Sequence, residues 1–258
     1  MAGPSYIGRS ISCGKLAPMT ADDPLAGSTW SDPRTVEGFV QSPPNARLMD
    51  VAAEAFRPSA RLLDIGCGAA RNALPLARTG WRVVGADLSS AMLMAAASRL
   101  KAEALSGRAD FVSAAMESLP FAADTFDFIV AHGIWNLARS GGQFRDAVRE
   151  AARVARPGAL LFVFTFSRHT LAASVEPIPG ESFVYTQFSG EPQCFLTAEQ
   201  LVAEMAAAGF APEPSHSLRE LNAPRGALRT SGGPVIYEGV FRSGSFPQFT
   251  SARPTRYA

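Results

Sequence analysis

Asp64, Gly66, Gly68 and Asp87 are spaced so that two acids and two glycines could hold one polar, nucleotide-like ligand. Glycine reaches backbone conformations closed to other residues and leaves no Cβ in a ligand's way. At a helix start, free amides and the helix dipole favour negative charge. An acid ending a second strand, about 20 residues past such a turn, is where doubly wound sheets bind ribose hydroxyls. His132 is a third candidate, because neutral imidazole can accept a proton near neutral pH. Three roles stay open for it: general base, ligand contact, or hydrogen-bonded loop residue.

These residues need a frame. Arg61 to Ile65 is a short apolar run cut by glycine, which reads as a buried strand, and Asn72 to Ala77 resumes with helical spacing. Trp81 to Asp87 reads as the second strand. An alanine-rich helix follows from Ser89, with Met92, Leu93, Ala96 and Leu100 on one face. Ala109–Ser113 and Phe126–Ala131 are further strands, the latter delivering His132, Trp135 and Asn136 to the sheet's carboxyl edge. A helix from Gly142 to Ala155, a continuous apolar strand from Ala159 to Phe166, and a helix opened by Thr197 through Gln200 complete the alternation. Two strands, roughly 212–221 and 235–242, close the chain.

The motifs Asp64-Ile65-Gly66-Cys67-Gly68, Arg71-Asn72-Ala73-Leu74, Gly85-Ala86-Asp87-Leu88-Ser89, Glu117-Ser118-Leu119-Pro120-Phe121 and Arg156-Pro157-Gly158 resemble, in order and spacing, one family. It is the class I S-adenosylmethionine-dependent methyltransferases, in the small-molecule branch called type 11, with its tellurite-resistance and thiopurine relatives. The likeness runs across roughly residues 60 to 166. It implies a Rossmann-like α/β fold, with a seven-stranded mostly parallel sheet, helices on both faces and a final antiparallel hairpin. It also implies S-adenosylmethionine as cofactor and S-adenosylhomocysteine as product. The cofactor residues it points to are Asp64, Gly66, Cys67, Gly68, Arg71, Asn72, Asp87, Leu88, Met92, Met116, Glu117 and His132. Trp30, Phe39, Asn45, Trp135, Arg168 and Tyr185 are the residues expected around a methyl acceptor.

Two departures from the family pattern stand out. Ala115 occupies the position where relatives usually carry an aspartate for the adenine amino group, with Glu117 as a candidate substitute. Ala70 stands where a third glycine is common, a replacement expected to be tolerated at a helix start. The missing glycine also counts against a nicotinamide-dependent oxidoreductase, the rival enzyme class. A binder of the same cofactor that transfers no methyl is the second rival, since fold does not fix chemistry.

The chain's 24 basic and 23 acidic residues leave a net charge of +1, which argues against nucleic acid or an anionic membrane as partner. The run after Phe126 also lacks the Asn/Asp-Pro-Pro-aromatic motif of base methylating enzymes. Three scattered cysteines and three histidines suggest neither a disulfide framework nor a metal centre, and point to a reduced, cytoplasmic setting. No run of 18 apolar residues and no signal peptide is evident. The expected organisation is a loose tail at 1–27, capping helices at 28–58 and the catalytic domain at 59–242. A substrate-side insertion is expected at about 167–195 and a second loose tail at 243–258. A small-molecule acceptor and a monomer or homodimer complete the expectation.

Overall fold

The computed structural model describes residues 23–223 and 233–244. The tails at 1–22 and 245–258, and Arg225 with its loop, lie outside the described residues.

The chain enters through two short amphipathic helices, α1 (Pro33–Gln41) and α2 (Ala46–Ala55). Asp32 caps α1 by accepting from the Arg34 and Thr35 amides, ahead of a proline at the first helical position. Asn45 caps α2 through the Leu48 amide. Then follow β1 (Arg61–Ile65), α3 (Ala73–Arg78), β2 (Arg82–Asp87), α4 (Ser90–Ala102), β3 (Ala109–Ser113), β4 (Phe126–His132), α5 (Gly141–Val154) and β5 (Ala155–Phe166). The insertion contains a two-stranded ribbon of β6 (Val184–Tyr185) and β7 (Gln193–Cys194). The chain closes with α6 (Ala198–Ala207), β8 (Phe210–Pro212), β9 (Arg219–Leu221) and β10 (Ile236–Ser243).

The main sheet runs β3-β2-β1-β4-β5-β10-β8, with β9 also paired to β10. From β3 to β5 all pairings are parallel, and β10 enters antiparallel between β5 and β8. One face packs Leu48 of α2, Leu74 of α3 and Leu93 of α4; the other packs Phe144 of α5 and Leu201 and Met205 of α6. Apolar residues on both faces of the central strands explain why those strands read as continuous rather than alternating.

Among the described residues the sheet has eight strands, not seven. The expected strand at 212–221 divides because Pro214 offers no amide and the chain turns at Glu213–His216, so β8 and β9 pair with different halves of β10. Ala155, expected to end the helix, instead opens β5, and residues 155–158 form its irregular start, with a register shift against β4.

Candidate active site

The turn after β1 is built by backbone geometry. Gly66 and Gly68 adopt φ of +69° and +52°, and the amides of Gly66 and Cys67 both donate to the Ala86 carbonyl. A Cβ on Gly66 would stand 2.6 Å from the Ile134 Cβ. The expectation that Gly66 keeps space open for a ligand is therefore corrected: its missing side chain makes room for Ile134. Ala70 also departs from expectation, because it sits in the left-handed region at φ +60°, a conformation that costs a non-glycine residue energy. Arg99 on α4 latches the turn by donating to the Ala69 carbonyl.

Asp87 closes the turn from the other side. One carboxylate oxygen accepts from the Gly68 amide and the other from the Ser89 amide, each at 2.8 Å. Burial raises its pKa, while the amides of Ser89, Gly68 and Leu88 oppose that rise. Each oxygen keeps acceptor capacity for a further donor.

Asp64 is almost fully buried at the end of β1, and neither carboxylate oxygen has a hydrogen-bond partner among the described residues. Burial pushes its pKa up to about 7; Arg71 opposes that rise and Asp87 adds to it. Arg71 forms no ion pair among the described residues, and burial lowers its pKa against the pull of Asp64. A buried acid and a half-buried cation stand at one turn without pairing to each other. Unpaired buried charge is costly, so this arrangement calls for a ligand carrying both signs.

His132 ends β4 beneath a polar cluster. Its ring stacks on Phe164 at 4.0 Å. Arg71 Nη2 approaches Nδ1 at 2.9 Å and Asn45 Nδ2 approaches Nε2 at 3.2 Å. A neutral imidazole has one acceptor nitrogen, so only one of these donors can bond, and the shorter contact assigns Nδ1 as acceptor and Nε2 as N–H. Burial, followed by the Arg71 charge, pushes the His132 pKa down to about 3. His132 thus lacks a free lone pair, which corrects the general-base expectation.

The same cluster contains a residue that the sequence reading missed. Glu238 of β10 accepts from Asn45 Nδ2 at 2.6 Å, and its carbonyl accepts from Arg47 at 2.9 Å. A lone acid inside the apolar run Val235–Phe241 was the available signal. Asn72, also buried, accepts from the Asn45 amide at 3.0 Å, so it braces the entry to α2.

The remaining expected residues divide between the site and the core. Phe39 lies 3.6 Å from the Cβ position of Gly68 and Met92 sulfur 3.8 Å from it, while Trp30 meets Phe39 edge-on at 5.9 Å. Leu88 follows Asp87, and Cys67 is buried with its thiol pushed well up by burial. Met116 is buried in the loop after β3. Glu117 turns to α5 and accepts from Gln143, so it does not replace the acid absent at Ala115. Trp135 is fully buried against Phe144, which removes it from any acceptor wall. Arg168 spends its donors on the carbonyls of Leu171, Ala172, Ala173 and Val175 and lies over the buried Tyr185 ring, so both residues shape the insertion.

Residues 63–163 match the family described as "Methyltransferase domain". That span contains the glycine turn, Asp64, Arg71, Asp87, Met116 and His132. Residues 63–163 thus carry a methyltransferase domain. Over 111 residues it is 34% identical to the ubiquinone/menaquinone biosynthesis C-methyltransferase UbiE of Pseudomonas fluorescens, an alignment covering 43% of this chain and 42% of that protein. The chain therefore spans about two fifths of the length of the curated relatives it matches. Among solved structures, an S-adenosylmethionine-dependent methyltransferase from Methanosarcina mazei aligns with a TM-score of 0.62 at 22% identity, over 75% of this chain and 97% of that one. The 1,6-didemethyltoxoflavin-N1-methyltransferase of Burkholderia thailandensis, solved with 1,6-didemethyltoxoflavin and S-adenosylhomocysteine, aligns at 0.59 and 18% identity over 77% of each chain. These similarities establish a methyltransferase-type fold, and its antiparallel β10 departs from the parallel continuation of a dinucleotide-binding sheet.

The residues fit the cofactor on the structure's own terms. Asp64 offers an unpartnered buried carboxylate and Arg71 an unpaired guanidinium, matching the ammonium and carboxylate of an amino-acid end. Asp87 offers acceptors for ribose hydroxyls.

Proposed function

We propose that this protein is a methyltransferase that uses S-adenosylmethionine to methylate an oxygen, nitrogen or sulfur of a small organic molecule. The observation that carries this reading is the Asp64 carboxylate, buried without a partner beside the unpaired Arg71. In the proposed complex Asp64 accepts from the cofactor's ammonium and Arg71 binds its carboxylate. Asp87 holds the ribose, and Met116 packs against the adenine. Phe39 and Trp30 cover the ligand and exclude water. The bound sulfonium supplies an electrophilic methyl group; the chain's task is to align an acceptor with it and keep solvent out.

Neither nucleic acid nor a membrane is proposed as a partner, and the working compartment is proposed to be the cytoplasm. Among the described residues no helix is long and apolar enough to cross a membrane, and no cluster of ligating side chains could hold a metal. The name of the Pseudomonas relative keeps carbon as the alternative target atom. Methyl-labelled S-adenosylmethionine incubated with the protein and host extract, split into small-molecule, RNA and protein fractions, tests the reading. Label in the small-molecule fraction is the expected outcome, and its position in the product separates carbon from heteroatom. Label confined to RNA or protein refutes the substrate class. Cofactor binding with no label anywhere refutes methyl transfer.

A further inference from the structure

His132 is met by donors at both ring nitrogens and by no acceptor among the described residues. Nδ1 accepts from Arg71 at 2.9 Å, so Nε2 carries the ring proton. That N–H faces Asn45 Nδ2 at 3.2 Å, which is a donor too, and Arg71 Nη2 comes within 3.4 Å of it. One N–H of Asn45 goes to Glu238 Oε1 at 2.6 Å; the other is left for the His132 side. The Asn45 amide cannot turn its oxygen inward, because Oδ1 already accepts from the Leu48 amide at the start of α2. Two N–H groups therefore face each other with no protein oxygen to receive them. A single oxygen accepting from both resolves the contact, since N–H···O bonds of about 2.9 Å can converge on one atom from donors this close.

The position of this donor pair in the sheet points to its ligand. Asp64 and Asp87 belong to β1 and β2, whereas His132, Phe164 and Glu238 are register partners on β4, β5 and β10 and share one face. The cofactor's assigned acids thus lie on one side of His132, and the donor pair reaches toward the other. Asn45, His132 and Phe164 are each half-buried and keep surface for a ligand. The donors are also preset: Asn72 holds the Asn45 backbone amide at 3.0 Å, and the Phe164 ring stacks on the imidazole at 4.0 Å. Charge favours an anion there. Arg71 stands at Nδ1, Arg47 lies 3.9 Å from Glu238 Oε2, and Arg219 is the register partner of Glu238 on β9. Burial and then the Arg219 charge lower the Arg47 pKa, so these two guanidiniums are close neighbours. Against these cations stands the Glu238 carboxylate, while Asp64, the acid acting on Arg71, meets the cofactor's ammonium in the proposed complex.

We propose that His132 Nε2–H and the second Asn45 Nδ2–H bind an ionised oxygen of the methyl acceptor, a carboxylate, phenolate or enolate. The inference rests on the methyltransferase reading and adds its acceptor class. An acceptor that arrives ionised has no proton to lose, which suits a site whose histidine has no free lone pair. Preorganised donors of this kind stabilise charge on oxygen without having to rearrange. Glu238 acts through Asn45 and is a positioning residue.

The test follows the His132 ring by nitrogen NMR in the full chain with isotope-labelled histidine, its signal being the one missing in H132Q. S-adenosylhomocysteine is added to saturation, then acetate as the probe for an ionised oxygen, with acetamide as its neutral isostere. In the S-adenosylhomocysteine complex Nε2 should carry the proton and Nδ1 should not. Acetate should then move the Nε2 proton downfield, and acetamide at the same concentration should leave it in place. Asn45→Ser keeps the helix cap through its hydroxyl but loses the second donor, and should weaken acetate binding about tenfold. In calorimetry H132Q should retain acetate binding, because its amide can accept from Arg71 and donate to the anion, whereas H132F should lose it. A proton on Nδ1, no response to acetate, or an equal response to acetamide overturns the proposal. A shift completed by S-adenosylhomocysteine alone, or loss of that ligand's affinity in Asn45→Ser, gives the donors to the cofactor's carboxylate and overturns it as well. Failure of S-adenosylhomocysteine to bind wild type instead sinks the methyltransferase reading itself.

Discussion

Replacing Asp64 by asparagine should change the pH dependence of stability in the ligand-free protein in a direction opposite to that of an ordinary paired acid. Asp64 is lifted from 3.8 to about 7, principally by burial. Between those values the folded protein keeps a proton that the unfolded chain has released, so stability falls as pH rises through that window. Once fully ionised, the group costs on the order of 4 kcal/mol. Part of that penalty is already present at pH 5, so going from pH 5 to pH 8 should cost wild type roughly 2–3 kcal/mol at this residue. The asparagine in the Asp64→Asn variant cannot ionise, and the unmet hydrogen bonds of its amide give an offset independent of pH. Urea unfolding of both proteins at pH 5, 6.5 and 8 measures the difference. The variant should gain roughly 2–3 kcal/mol relative to wild type across the range. Saturating S-adenosylhomocysteine should flatten the wild-type slope by pairing the carboxylate. A difference that stays constant with pH would refute the reasoning, because Asp64 would then have a partner in the free protein.

Four further outcomes follow from the geometry. Asp87→Ala should weaken S-adenosylhomocysteine binding by about 1.5–3 kcal/mol in calorimetry, through loss of charged hydrogen bonds. Trp135→Ala should lower stability by about 3–5 kcal/mol in urea unfolding, as expected for a fully buried indole, without altering the choice of acceptor. Glu238→Ala, which strips Asn45 of its 2.6 Å acceptor and leaves Arg47 without its carboxylate neighbour, should destabilise by about 2–3 kcal/mol in the same assay. Ala70→Gly should raise stability by about 0.5–1 kcal/mol by relieving a positive φ, read as a higher thermal midpoint.

The glycine turn and Asp87 were legible because their constraints are short-range: a strand, a reversal, a second strand and an acid at its end, all within residues 61–87. The helix caps were legible for the same reason, as the Thr197–Gln200 box shows. Trp135 was not, because an aromatic beside His132 can face either way, and its direction is set by the short helical turn at Trp135–Leu137 packing on α5. Glu238 escaped notice because its partners Asn45 and Arg47 lie 193 and 191 residues away, a separation no local pattern encodes. The inability of His132 to act as a base emerged only once Arg71 and Asn45 stood on both sides of its ring. His169 falls in the segment read as an insertion, whereas its partner Glu220 was hidden in what read as a longer strand.

The antiparallel position of β10 between β5 and β8 constrains the order in which the chain can finish folding as it leaves the ribosome. β8 emerges more than twenty residues before the strand it pairs with, and β5 waits longer still with one edge unpaired. Seven consecutive residues of β5, Leu160 to Phe166, form that edge, and most are large and apolar. An open apolar edge invites pairing with other chains. A nascent chain stalled before residue 236 would therefore present an adhesive strand, and arrival of β10 is the step that removes it.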